Sequence, residues 1–466
     1  MEEAMKQVWI ASLTFVASAT TALAQDEALP QAVGDAYLAY ESALASNDHE
    51  AASEAAELAW RAAQDARIDR ALIGVLAANY GDMAEAQGDH AAAYEARREA
   101  AEIAERLGDP ARDRFRLWYN AASSAYLAGD YSDAYRCAER ADRHLADSDA
   151  ASVSDSMRAD HYLLAAQTGI LARRTRDAAS MAVAGLPLVR ERDGAGSLNY
   201  ANLAFMSGVG ETFRRDWVGC SVQMRQASAA YSALDLETNH LVAEALQGMC
   251  IAYVDEDERW EMISRIQTSD HPDPDYDQVD ALTGEVRWLR RHVPIPDSEW
   301  SQQYLSGAIT LEYSVDRTGA ATDIVVVENT LDEAIIPVVT EALEGFWFEP
   351  DREGLQRGAV RFEFDRGRYV DPDETGFRPV PLVRREPAYP YPAARSGEEG
   401  ITVVRFSVDE MGRVNAPELI YEVPAGVFGE VTLEAVDSWT YAPVDPLMPA
   451  ETRDGLVTFF HFRLRG

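Results

Sequence analysis

The sequence predicts a multidomain chain: an all-α helical-repeat solenoid followed by two small α+β modules, each on a three-stranded antiparallel sheet. Three observations predict it. Alanine, leucine, glutamate and arginine, all strong helix formers, dominate from Leu29 to Arg291. A turn ending in aspartate recurs there every 41 residues, at Asp48, Asp89 and Asp130. Beyond His292, two alternating apolar and polar segments recur at a constant offset of 93 residues, as Gly307 and Gly400 illustrate.

Residues 1–24 read as a secretory signal with its start at Met5. Lys6 is the charged end, an apolar run begins at Val8, and Ala22-Leu23-Ala24 is a small-x-small cleavage site before Gln25. The alternative is an uncleaved inner-membrane anchor, although the run is short for a span of about 20 residues. The expected location is the periplasm, or, in the alternative, the periplasmic side of the inner membrane.

Residues 25–291 form the repeat region. "SNDHEAASEAAELA" from Ser46, "QGDHAAAYEARREAAEIAERLGDP" from Gln87 and "AGDYSDAYRCAERA" from Ala128 are copies of one unit. Looser copies start at Arg173 and Arg214. A period near 40 residues with helical composition predicts stacked helix pairs, with the aspartate step as the turn between them. The unit resembles the tetratricopeptide repeat family in a long-loop form. That resemblance implies a surface that binds peptides or proteins; the alternative is a helical spacer without a specific ligand.

The first module covers 296–366. Ile309, Leu311, Tyr313 and Val315 alternate with Ala308, Thr310, Glu312 and Ser314, the period of a strand with one buried face. Asp316 to Gly319 is a tight turn, "LDEAIIPVVTEALEGF" a helix and "RGAVRFEFD" the last strand. The second module, 377–466, repeats that order. Asp316 and Asp409, Gly319 and Gly412, and Pro350 and Pro443 keep the offset, which indicates duplication. Within the second module "PAYPYP", Pro387 to Pro392, predicts a stiff extended lead-in to the strand that opens at Gly400.

From about Val380 to Leu464 the second module resembles the C-terminal domain of TonB-type energy transducers. The motifs are Pro387-x-Tyr389-Pro390-x-x-Ala393, Glu399-Gly400, Val408-Asp409-x-x-Gly412-x-Val414 and Trp439-x-Tyr441-x-Pro443. The first module keeps the strand order but lacks the tyrosine-proline lead-in and has Phe346 in place of the tryptophan. The resemblance implies an edge strand that accepts an extended segment of an outer-membrane transporter by β-augmentation, or contact with peptidoglycan. Within it, Pro387, Tyr389 and Pro390 would frame the incoming strand, or Tyr389 would pack the lead-in onto the domain's own core. In "GLVTFFHFRL", Phe460, Phe462 and Leu464 are the inward set. Val457, Phe459 and His461 then face out as partner-binding residues, with the edge open for a partner; the alternative is that the other module or the repeat array covers Phe459.

Composition narrows the remaining classes. A net charge of -37 leaves no basic groove for nucleic acid, nor strong attraction to an anionic membrane surface. Lys6 is the only lysine, so a chain cleaved before Gln25 has no P-loop or Schiff-base lysine. There is no H-E-x-x-H, no C-x-x-C and no G-x-S-x-G in a strand-to-helix context. The acidic runs 254–259 and 270–280 match no EF-hand loop. No enzyme activity, cofactor or metal is expected. Of three cysteines, Cys137, Cys220 and Cys250, at least one stays unpaired. Cys220 and Cys250 meet if they lie on adjacent helices; otherwise all three are small buried residues. The expected function is a periplasmic TonB-family protein that binds partners through its repeats and engages an outer-membrane transporter or envelope component by edge-strand pairing. The alternative is a structural adaptor in envelope assembly with passive β-modules.

Overall fold

The aspartates that set the repeat period are helix N-caps. Asp48, Asp89, Asp130 and Asp216 accept backbone N–H bonds from Ala51, Ala92, Asp133 and Gly219 at 2.7–3.1 Å. Each thereby satisfies a donor that the first helical turn leaves unpaired. The residue before each cap is left-handed: Asn47, Gly88, Gly129 and Arg215 have φ of 56°, 79°, 82° and 64°. Glycine takes that conformation freely and asparagine tolerates it, which explains the Gly-Asp and Asn-Asp signatures.

The computed structural model describes residues 29–145, 153–255, 258, 261–262, 265, 288–290, 294, 307–348, 356–365, 368–370, 381–441 and 453–464. The signal segment, the acidic run 270–280 and the first residues of both modules, from 296 and from 377, lie outside the described residues. The chain divides into two compact units between Arg174 and Thr175.

The first unit holds α1 (Gln31–Ala45), α2 (His49–Ala66), α3 (Arg70–Ala86), α4 (His90–Leu107), α5 (Ala111–Leu127), α6 (Tyr131–Leu145) and α7 (Asp155–Leu171). Its core is largely alanine, with Ala52, Ala63, Ala77, Ala93 and Ala96 fully buried. Small side chains let helices approach closely, and aromatics fill the remaining space, as where Trp60 stacks on Tyr80 at 5.3 Å. Polar ties join neighbouring helix pairs. Trp60 Nε1 donates to Glu99 at 2.8 Å, and the buried Arg97 donates to Asp82 and Ser124, each at 2.8 Å.

The second unit continues with α8 (Thr175–Asp193), α9 (Leu198–Arg214), α10 (Trp217–Ala233) and α11 (Glu237–Tyr253). A disulfide joins Cys220 on α10 to Cys250 on α11, with Cα atoms 6.0 Å apart. Cys137 is the free thiol, buried, and burial pushes its pKa up to about 11.

The first module comprises β1 (Trp288–Arg290), β2 (Gly307–Val315), β3 (Ala321–Asn329), α12 (Ile336–Glu344), β4 (Trp347–Phe348), β5 (Gln356–Asp365) and β6 (Arg368–Val370). Its sheet runs β3-β2-β5-β6, so the expected three strands gain a short fourth. Ile309, Leu311 and Val315 are fully buried against Val339 and Leu343 of α12, as the alternation requires. Strand β1 pairs with β4, so the module's pairing begins inside the stretch 25–291 read as repeats.

The second module comprises β7 (Pro381–Val383), α13 (Tyr391–Ser396), β8 (Gly400–Val408), β9 (Val414–Val423), α14 (Gly429–Asp437), β10 (Thr440–Tyr441) and β11 (Leu456–Phe462). Its sheet runs β11-β8-β9, and β7 pairs with β10 as β1 pairs with β4. The turns repeat as well. Asp316 accepts from Thr318 and Ala320, and Asp409 from Met411 and Arg413, at 2.8–3.0 Å. Phe348 N donates to Gly319 O, and Tyr441 N to Gly412 O, both at the 93-residue offset.

Candidate functional site

The motif residues of the second module hold its fold together. At Gly400 a Cβ would lie 2.3 Å from Phe428 Cε2 and 2.7 Å from Val423 O, so only glycine fits. Gly400→Ala is expected to lower stability by about 2 kcal/mol through overpacking. Calorimetry on the full chain checks this, and an unchanged melting profile rejects it. Glu422 accepts N–H bonds from Gly426, Val427, Phe428 and Gly429 at 2.7–2.8 Å, satisfying the start of α14. Burial opposes its charge, but these four donors prevail and its pKa falls below the usual glutamate value.

The lead-in packs onto its own domain. Trp439 Nε1 donates to Arg385 O at 2.9 Å, a bond that Phe346 in the first module cannot make. Tyr389 sets its ring edge-on to Phe428 and Phe462 at 5.7 and 5.8 Å and donates its hydroxyl to Glu398 O at 2.6 Å. Pro387 and Pro390 are half-buried, and Pro390 stands at the N-terminus of α13. The extended lead-in therefore ends at Pro390, not Pro392. Proline is accepted in a first helical turn, where its missing N–H is not needed.

Strand β11 pairs with β8 along its whole length, from Leu456↔Phe406 to Phe462↔Gly400. Among the described residues no strand pairs with its other edge. The counterpart edge in the first module is occupied: β6 lies against β5 through Glu363↔Val370, Phe364↔Tyr369 and Asp365↔Arg368.

The side chains of β11 separate as the alternation indicates. Phe460 and Phe462 join the core beneath α14. Val457, Phe459 and His461 are on the other face, where all three are partly buried. At His461 helices of the same unit cover that face, which is the alternative the sequence leaves open. His461 meets Trp217 and Tyr253 ring to ring at 5.9 and 6.0 Å, and Arg463 lies over Tyr253 at 4.5 Å. On β9, Tyr421 meets Phe205 of α9 edge-on at 5.2 Å. Glu399 pairs with Arg176 of α8 at 3.7 Å. The first module rests on the same helices, with Trp347 buried among Val218, Val222 and Ile251.

This packing is set by residues the site reading did not single out. Ile401 and Val403 of β8 are fully buried beside Thr402 and Val404, which face the other way and are also fully buried. A run buried on both faces needs a cover on each side. Burial, followed by Arg463 and Arg215, pulls the His461 pKa down to about 4.

Residues 385–463 match the family model of the Gram-negative bacterial TonB protein C-terminal. The TonB-type segment thus spans the lead-in, all three strands of the second sheet and α14. Among solved structures, the TonB2 protein of Vibrio anguillarum matches at 26% identity over 19% of this chain and 84% of that one, with a TM-score of 0.17. BtubC (BKLC) of P. vanneervenii matches at 18% identity over 59% of this chain and 99% of that one, with a TM-score of 0.29. A signal transduction ATPase with a tetratricopeptide repeat sensor, from Pyrococcus horikoshii, matches at 13% identity over 53% and 39%, with a TM-score of 0.29. No curated protein sequence matches. Among the described residues no helix is long and apolar enough to cross a membrane, and no group of three or more His, Cys, Asp or Glu could hold a metal ion.

Proposed function

We propose that this chain is a periplasm-facing envelope protein whose TonB-type domain captures an extended segment of an outer-membrane transporter on the outer edge of β11, while the helical repeats hold a second partner. The observation that carries this reading is the outer edge of β11, with which no strand among the described residues pairs, within a segment matching the TonB C-terminal family. The first module supplies a local precedent, since β6 already adds to the equivalent edge there. An added strand gains affinity from backbone hydrogen bonds and selectivity from neighbouring side chains. The disulfide supports an oxidising compartment. The chain carries out no catalysis in this reading.

The test uses adjacent prolines in β11. In an antiparallel edge strand alternate N–H groups point to the partner strand and outward. Of Thr458→Pro and Phe459→Pro, one therefore breaks the ladder to β8, and the other removes only an outward donor. The variant that keeps the wild-type circular dichroism is expected to lose most of its affinity for a labelled transporter-derived peptide. Equal affinity of that folded variant and wild type would overturn the proposal.

A second reading is favoured by the docking of both modules on α10 and α11. It makes the chain a rigid structural adaptor with passive β-modules. Capture of envelope proteins that survives the edge-blocking proline selects this reading.

A further inference from the structure

A strand added to β11 would not meet the TonB-type sheet alone. The residue placed opposite His461 shares its face, with Cβ atoms about 4.5–5.5 Å apart. On that face His461 lies against Trp217 of α10 and Tyr253 of α11. Two arginines stand beside them. Arg463 follows β11 and covers Tyr253, and Arg215 precedes α10, close enough to act on the His461 charge. Both arginines are exposed. In a chain with a net charge of -37 these two guanidinium groups border the aromatic patch, while the neighbouring Asp216 is engaged as the N-cap of α10. Arginine on such a surface takes a carboxylate through paired, charge-assisted hydrogen bonds, and the aromatic faces exclude water from them.

We propose that the partner-binding site is composite, and that the repeat region selects an added strand carrying an acidic side chain at the position facing His461, through Arg215 and Arg463. This deepens the edge-strand reading and rests on it. Helices α10 and α11 thereby act as specificity elements for a peptide whose backbone is held by β11. A basic side chain at that position meets two guanidinium groups and is rejected, so selection works by repulsion as well as attraction.

The experiment is fluorescence anisotropy on the full chain with three labelled heptapeptides, Val-Thr-Val-X-Val-Thr-Val, where X is Glu, Gln or Lys. The Glu peptide is expected to bind about tenfold more tightly than the Gln peptide, the scale of one charge-assisted hydrogen bond. The Lys peptide is expected to bind more weakly than Gln. Arg215→Asn, a residue that tolerates the left-handed backbone there, and Arg463→Gln are each expected to remove most of the Glu preference and leave the Gln affinity unchanged. If the three peptides bind alike and the edge-blocking proline abolishes all three, the composite site is wrong while the edge reading stands. If none binds, the edge reading fails, and the composite site with it.

Discussion

Replacing both Cys220 and Cys250 by alanine is expected to destabilise the second unit by about 3–4 kcal/mol. The two cysteines are 30 residues apart in sequence, and the entropy of closing a loop of that length in the unfolded chain gives this scale. Both residues are fully buried, so the truncations also leave a small void. The loss should not stay local. Trp217 stands one helical turn before Cys220 and Tyr253 one turn after Cys250, and these two rings receive His461 of β11. The bridge thus fixes the spacing of the surface on which the TonB-type sheet rests. Denaturant unfolding of the double variant and wild type, followed by tryptophan fluorescence, checks both parts. A loss below about 1 kcal/mol would count against the bridge as a staple. An unchanged transition around Trp217 would separate it from the docking of β11.

Much of this architecture is written plainly in the chain. The repeat period is legible because the same cap is required at each turn, so Asp48, Asp89 and Asp130 recur at one spacing. The duplication is legible because both turns need aspartate to accept and glycine to adopt positive φ, at Asp316 and Gly319 and at Asp409 and Gly412. The cover over the second sheet was written less plainly. "GITVVRFSV" reads as an alternating strand only from Arg405 onward; before that Ile401, Thr402, Val403 and Val404 are all buried. At the 93-residue offset the counterparts in β2 are Ala308, Ile309, Thr310 and Leu311, and there the half-buried Thr310 stands where Val403 is fully buried. That contrast between the two copies was the available sign that only one sheet is covered on both faces.

Other features could not be read from pattern. Strand β6 spans three residues, too few for a period. The cysteine pairing depends on the facing of α10 and α11, which no local signal sets. For the candidate site, the inward set of β11 was legible from alternation, whereas for the opposite face the sequence left open whether a partner, the other module or the repeat array lies there. Tyr389 shows why motif residues alone do not locate a binding surface. Its ring and hydroxyl are both engaged by its own domain.

His461, partly buried against α10 and α11, is expected to make the second unit lose stability on mild acidification. Burial is the main cause of its lowered pKa, with Arg463 and Arg215 adding repulsion for a proton, and the value falls to about 4 from an ordinary 6.5. Above pH 6.5 the imidazole is neutral whether the chain is folded or unfolded, so its contribution is fully present. Between pH 6.5 and 4 the unfolded chain takes up a proton that the folded chain refuses, and stability falls throughout that window. The difference between the two pKa values corresponds to about 3 kcal/mol once pH 4 is passed. His461→Phe keeps a ring between Trp217 and Tyr253 and removes the titration. The test is the difference in unfolding free energy between variant and wild type from pH 7 to 4, which cancels the carboxylates common to both. The variant is expected to gain on wild type progressively below pH 6.5, by about 3 kcal/mol at the acid end. Parallel profiles would mean that His461 is solvated or paired in the folded chain, and the packing of β11 against α10 and α11 would then need to be redrawn.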